Sequence, residues 1–166
     1  MAAITRNGKP IHTSGELPAV GSRAPDFRLV DAELNDVTLA TFSGKKKLLS
    51  IVPSLDTPTC ALSTKKFNEQ AAALPNTVVL IISADLPFAM KRFCAAEHTD
   101  RVIPLSMMRS RQFARDYGVL VVDGPTEGIT ARAIVVLDEH DKVAYTELVP
   151  EVRQEPNYDA ALAALR

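Results

Sequence analysis

The sequence predicts an α/β protein built around a mixed central sheet. Three observations carry that expectation. Two continuous apolar runs, Leu48–Val52 and Val78–Ile82, bracket a helical segment at about 58–74. Runs of that kind, without polar alternation, mark strands covered on both faces. Later, two β-rich runs at 130–137 and 143–149 flank the turn Asp138-Glu139-His140-Asp141 and read as an antiparallel hairpin. With 166 residues the chain fits one domain, residues 1–166, and buries about two thirds of its unfolded surface without disulfides or metals.

Taken in order, residues 4–12 centre on Asn7-Gly8, the strongest short-range hairpin signal, so residues 1–16 form an N-terminal hairpin extension. Residues 17–25 are a linker punctuated by proline and glycine. A strand at 27–30 and a short one at 37–39 lie either side of a turn at Asn35-Asp36. In the helix after Leu48–Val52, Phe67, Ala71 and Leu74 share one face, and Pro75-Asn76 ends it. Pro87 suits the first turn of a second helix that runs to about His98. Then come a strand at 103–106, a short helix at 110–117 stopped by Gly118, an edge strand at 119–122, the late hairpin, and a closing helix at 157–165. This order describes a thioredoxin-like fold: a mixed sheet flanked by helices, its first parallel strands joined by a helical crossover.

Composition narrows the function classes. The 46% hydrophobic and 23% charged residues are ordinary for a globular chain. Nineteen basic against twenty acidic residues give a net charge of −1, so no nucleic-acid footprint is expected. The basic run Lys45-Lys46-Lys47 reads as a solvated turn. The N-terminus lacks an apolar leader core and the longest apolar run is far too short to span a bilayer, so a cytoplasmic location and no membrane partner are expected. His98 follows Cys94 at a helical spacing, but no second ligand pair accompanies them, and a metal is not expected.

The chemistry concentrates where the first buried strand meets its helix, at PSLDTPTC, residues 53–60. Thr57 is a natural N-cap and Pro58 a natural first helical residue. Cys60 then lies in the first turn, where free backbone N–H groups and the positive end of the helix dipole favour a thiolate. Ligands of α/β folds also gather beyond the carboxyl ends of parallel strands. On the residues alone, Cys60 is equally a small core residue at a strand–helix junction. Arg132, within the apolar stretch Thr130–Leu137, demands an anionic partner if buried and is unremarked if it faces solvent. Cys94 sits beside Phe93 and Met90, where an inert packed thiol is also at home.

PSLDTPTC resembles the active-site loop of the peroxiredoxins, in which a proline, a threonine or serine, and the reactive cysteine stand at the offsets of Pro53, Thr57 and Cys60. The wider context is similar to the thiol peroxidase subgroup, the atypical two-cysteine peroxiredoxins. The likeness continues through KFNEQ, TVVLIISADLPFAMKRFC, YGV, DGP and ITARAIVVLDEHDKV, and so covers almost the whole chain.

The resemblance implies that Cys60 attacks the peroxide, that Thr57 hydrogen-bonds the sulfur and a peroxide oxygen, and that Pro53 shields the pocket. It implies that Arg132 stabilises the thiolate and that Cys94 resolves the resulting sulfenic acid as a Cys60–Cys94 disulfide. It further implies thioredoxin as reductant, a homodimer, no cofactor, and hydrogen peroxide or alkyl and lipid hydroperoxides as substrates, the organic ones favoured by apolar residues expected near the loop. Because a disulfide needs Cα atoms within about 7 Å, two cysteines on separate helices require local unwinding. Two other functions compete with this one. A general thiol–disulfide oxidoreductase calls for Cys-x-x-Cys, and position 57 is threonine. A redox sensor would form the disulfide without turnover.

Overall fold

The computed structural model describes residues 1–166. Its main sheet has seven strands: β3 (Leu29–Val30), β4 (Asp36–Val37), β5 (Lys46–Ile51), β6 (Thr77–Ser83), β7 (Ile103–Ser106), β8 (Ala133–Leu137) and β9 (Val143–Leu148). They lie side by side in the order β4-β3-β7-β6-β5-β8-β9. The central strands β5, β6 and β7 are parallel, with Leu48 opposite Val79 and Ile82 opposite Leu105. On one side β8 and β9 add antiparallel to β5, and on the other β3 adds antiparallel to β7. The sheet is therefore mixed, as expected.

Pleating divides the apolar side chains of each strand between two cores. Leu48, Val79, Ile81, Ile134 and Val136 point to one face, where they meet α1 (Pro58–Ala71), α2 (Pro87–Glu97) and α4 (Tyr158–Ala163) through Cys60, Phe67, Met90 and Leu162. Leu49, Ile51, Leu80, Ile82 and Val135 point to the other, against α3 (Gln112–Asp116) and the segments carrying Phe27 and Leu39. This explains why β5 and β6 read as continuous apolar runs. No helix of the chain is long and apolar enough to cross a membrane.

The N-terminal hairpin forms a separate two-stranded sheet, β1 (Ala3–Arg6) with β2 (Lys9–His12). Asn7 and Gly8 both have positive φ, 54° and 76°, as a tight two-residue hairpin turn requires. Ile4 and Ile11 bury their side chains against Val121 and Ala131. At the other end of this contact, Thr5 N–H donates to the Pro150 carbonyl and Val152 N–H to the Thr5 carbonyl.

Four local expectations need correction. Residues 119–122 do not form an edge strand; Leu120 and Val121 make only isolated bridges, to Thr130 and Thr13. Residues 39–42 form a turn of 3₁₀-helix, not a continuation of the strand. The chain reverses through Leu34, at φ 69°, with Asp31 accepting from Glu33 and Asn35 N–H groups, so the turn lies before Asn35-Asp36. The lysine run is not a solvated turn either. Lys47 is fully buried in β5 and its ammonium pairs with Asp141, 2.5 Å away, and with the Lys45 carbonyl. A buried ammonium persists only with such partners, and the second one, Asp141, is far off in sequence.

Candidate active site

The seam between β5 and α1 folds as its residues dictate. Thr57 is extended (φ −110°, ψ 147°) and Pro58 is the first helical residue. Its missing N–H is one that a helix start leaves unpaired anyway. The loop before it is tied down by Asp85, at the end of β6. The Asp85 carboxylate accepts from Ser54 Oγ at 2.7 Å, from Leu55 N–H at 2.8 Å and from Ser83 Oγ at 2.7 Å. Inside α1, Ser63 and Thr64 hydroxyls both donate to the Cys60 carbonyl, at 3.1 and 2.8 Å. The cysteine is thus held from both sides.

Cys60 is fully buried, and Arg132, only 2% exposed, reaches it: Nη2 lies 3.3 Å from Sγ. Arg132 stands one residue before β8. Its Nε and Nη2 also donate to the Val152 carbonyl, at 3.2 and 2.9 Å. Its Nη1 is buried with no hydrogen-bond partner. The guanidinium is thus a charge-assisted donor within hydrogen-bond reach of the sulfur. Arg132 therefore does not face solvent.

Pro53, Thr57 and Arg132 line one cleft of about 560 Å³. Cys60 lies just behind that lining, without accessible surface, so a reactant reaches the sulfur only when the first turn of α1 or the Pro53 loop shifts. The Thr57 hydroxyl donates to the Ser54 carbonyl at 2.8 Å and makes no contact with the sulfur in this conformation. Nor does it cap α1, although Thr57 occupies the N-cap position. The cleft wall combines Pro53, Pro58, Ile129 and Val152 with four threonines and three arginines.

Cys94 is elsewhere. It is half-buried on α2, and both thiols are free. Burial pushes the Cys94 thiol up, with the nearby Thr99 hydroxyl opposing. The two cysteine-bearing helices are neighbours on the same face of the sheet, linked by the Lys65–Glu97 ion pair at 2.6 Å. Asn68 on α1 also accepts from Arg101 N–H, just past α2.

Several contributors escaped the sequence reading. Asp85 carried a signal, being a lone acid between a buried strand and a proline-started helix. Val152 acts through its carbonyl, which no side-chain pattern reveals. Glu151 holds the hairpin to this region: it takes the Thr5 hydroxyl and the N–H groups of Asn7 and Gly8 at 3.0 and 3.2 Å. These bonds depress its carboxyl to about 2.

With this geometry in view, comparison with known proteins is informative. The Redoxin family model matches residues 19–162. The chain is 57% identical over 165 residues to thiol peroxidases of Mycobacterium bovis and Mycobacterium tuberculosis, covering 99% of each chain. Its fold superposes on a peroxiredoxin-like protein from Aquifex aeolicus with a TM-score of 0.93 at 39% identity, covering 99% of this chain and 96% of that one. A thiol peroxidase from Chromobacterium violaceum gives a TM-score of 0.90 at 26% identity, with 96% and 93% covered. Full-length similarity at this level, on a sheet that buries a cysteine at the start of a helix, assigns the chain to the Redoxin family and, within it, to the thiol peroxidases.

Proposed function

We propose that the chain reduces peroxides with Cys60 as the attacking thiolate and Cys94 as the second thiol. The observation that supports this reading best is the 3.3 Å approach of Arg132 Nη2 to Cys60 Sγ, beside a cleft walled by Pro53 and Thr57. The guanidinium holds the thiolate, and its unpartnered Nη1 is a donor for the oxygen that becomes negative as the O–O bond breaks.

The thiolate attacks the distal peroxide oxygen. A sulfur–oxygen bond forms, the O–O bond breaks, and the departing alkoxide or hydroxide takes a proton, leaving an alcohol or water and a Cys60 sulfenic acid. Thr57, whose hydroxyl needs only a side-chain rotation to leave the Ser54 carbonyl, orients the peroxide. The Cys94 thiolate then attacks the sulfenic sulfur and a Cys60–Cys94 disulfide forms. The departing hydroxide takes a proton and leaves as water. An external dithiol of the thioredoxin class returns both thiols by exchange and is itself oxidised to a disulfide. Sulfur carries the electrons throughout, and a homodimer is the expected assembly.

The test is a coupled assay with thioredoxin, thioredoxin reductase and NADPH. The wild-type chain oxidises NADPH in a peroxide-dependent manner, and Cys60→Ser loses that activity. Turnover surviving in Cys60→Ser, or disulfide formation without turnover in the wild type, contradicts the reading.

A further inference from the structure

The cleft beside Cys60 carries more positive charge than the sulfur chemistry uses. Three arginines line it, Arg6, Arg132 and Arg153, and no acidic residue does. Arg132 is committed to Cys60 and the Val152 carbonyl. The side chains of Arg6 and Arg153 enter no ion pair at all. Two acids beside Val152 and Arg153 in the chain are already engaged. Glu151 binds Thr5 and the hairpin amides, and Glu155 takes Lys66 at 2.9 Å and the Tyr158 hydroxyl at 2.9 Å. Two arginines without an ion-pair partner on one cleft are a site for an anion, and a guanidinium fork matches a carboxylate best.

Size points the same way. Hydrogen peroxide needs about the room of two waters, roughly 60 Å³ at the liquid volume of about 30 Å³ each. The cleft offers about 560 Å³. It also draws its walls from parts of the chain that the reacting sulfur does not need, since Arg6 comes from the N-terminal hairpin and Arg153 from the segment after β9. Glu151 fixes these two parts to each other, for it accepts from Asn7 and Gly8 beside Arg6 and from the Arg153 N–H at 3.4 Å. The hairpin is thereby held where its half-buried arginine faces the cleft.

We propose that this cleft selects organic hydroperoxides that carry a carboxylate, with Arg6 and Arg153 holding the carboxylate while the peroxide end meets Cys60 past Thr57. This rests on the peroxidase reading of Cys60. The two arginines bind remote from the reacting oxygens, so they contribute to capture of the substrate and not to bond breaking. Both are partly solvated, so the combined effect on kcat/KM is about tenfold.

The experiment compares 6-hydroperoxyhexanoate with its methyl ester, which lacks the negative charge and adds one methyl group. The quantity read is the acid-to-ester ratio of kcat/KM within each protein, so a general loss of activity in a variant cancels. In the wild type the ratio is about ten at low salt and falls towards one at 0.5 M salt, where the screening length is only about 4 Å. In Arg6→Ala/Arg153→Ala it is near one at every salt concentration, and in the conservative Arg6→Lys/Arg153→Lys it is partly restored. A wild-type ratio near one, or a double-alanine variant that keeps the wild-type ratio, overturns the proposal. Hydrogen peroxide run alongside separates the two levels. No turnover of hydrogen peroxide, acid or ester by the wild type refutes the peroxidase reading itself, whereas turnover with equal acid and ester rates refutes only the carboxylate site.

Discussion

Arg132 shows how much a single position decides. A guanidinium that is 2% exposed must be met by acceptors, and here they are one main-chain carbonyl and one sulfur, with Nη1 left over. A charge-assisted contact of this kind is worth about 1.5–3 kcal/mol, which is about tenfold to a hundredfold in an equilibrium. Arg132→Ala therefore slows alkylation of Cys60 by iodoacetamide at pH 7 by at least about tenfold, and Arg132→Lys by less, since an ammonium keeps the charge and loses only the planar fork. A wild-type rate in the alanine variant contradicts the pairing. The sequence made the type of partner legible, because an arginine in an apolar stretch demands an anion. It did not show which face Arg132 takes, nor that Thr57 would hold the Ser54 carbonyl, because both depend on chain segments distant in sequence.

At the scale of elements, the continuous apolar runs became the sheet centre and Asn7-Gly8 became the hairpin turn, because burial on both faces and a positive-φ pair are local signals. Residues 119–122 failed for the complementary reason. Val121 is buried against the hairpin and Ala131, and Val119 in the main core, so the segment looks strand-like without pairing as a strand. Lys47 failed because its partner, Asp141, lies on the far hairpin turn. The N-terminal hairpin itself is latched by Glu151, whose carboxyl lies near 2, well below its ordinary 4.5. A depressed carboxyl stabilises the fold above the unfolded value and loses that contribution as pH falls through the folded one. The latch thus holds at neutral pH and weakens between about 4.5 and 2. Followed by NMR, the amide shifts of Asn7 and Gly8 titrate together with a midpoint near 2. A midpoint at the ordinary glutamate value shows that Glu151 does not hold the turn.

Taken whole, the molecule is arranged for a change of shape. Cys60 sits without accessible surface at the start of α1, and Cys94 lies half-buried on α2. Asp85 connects the two regions, since it fastens the Cys60 loop and stands two residues before α2. Burial keeps Cys94 in its protonated form. That contribution is complete below the ordinary thiol range and is lost as pH rises through the raised value, so exposing Cys94 also activates it. On the proposed mechanism, local unwinding of α2 or of the first turn of α1 would serve two ends, bringing the sulfurs together and freeing the Cys94 thiolate. The fold class was legible in the sequence because it rests on local patterns, the two buried apolar runs and the helix between them. The cationic cleft wall was not, because it is assembled from residues 6, 132 and 153 only by folding. The most direct measurement is peptide mapping by mass spectrometry after one equivalent of hydrogen peroxide under non-reducing conditions. The account predicts a monomer that has lost two hydrogens and carries a single Cys60–Cys94 cross-link, while Cys94→Ser instead gains one oxygen on Cys60. Two intact thiols, or a cross-link between chains in place of the internal one, contradicts it.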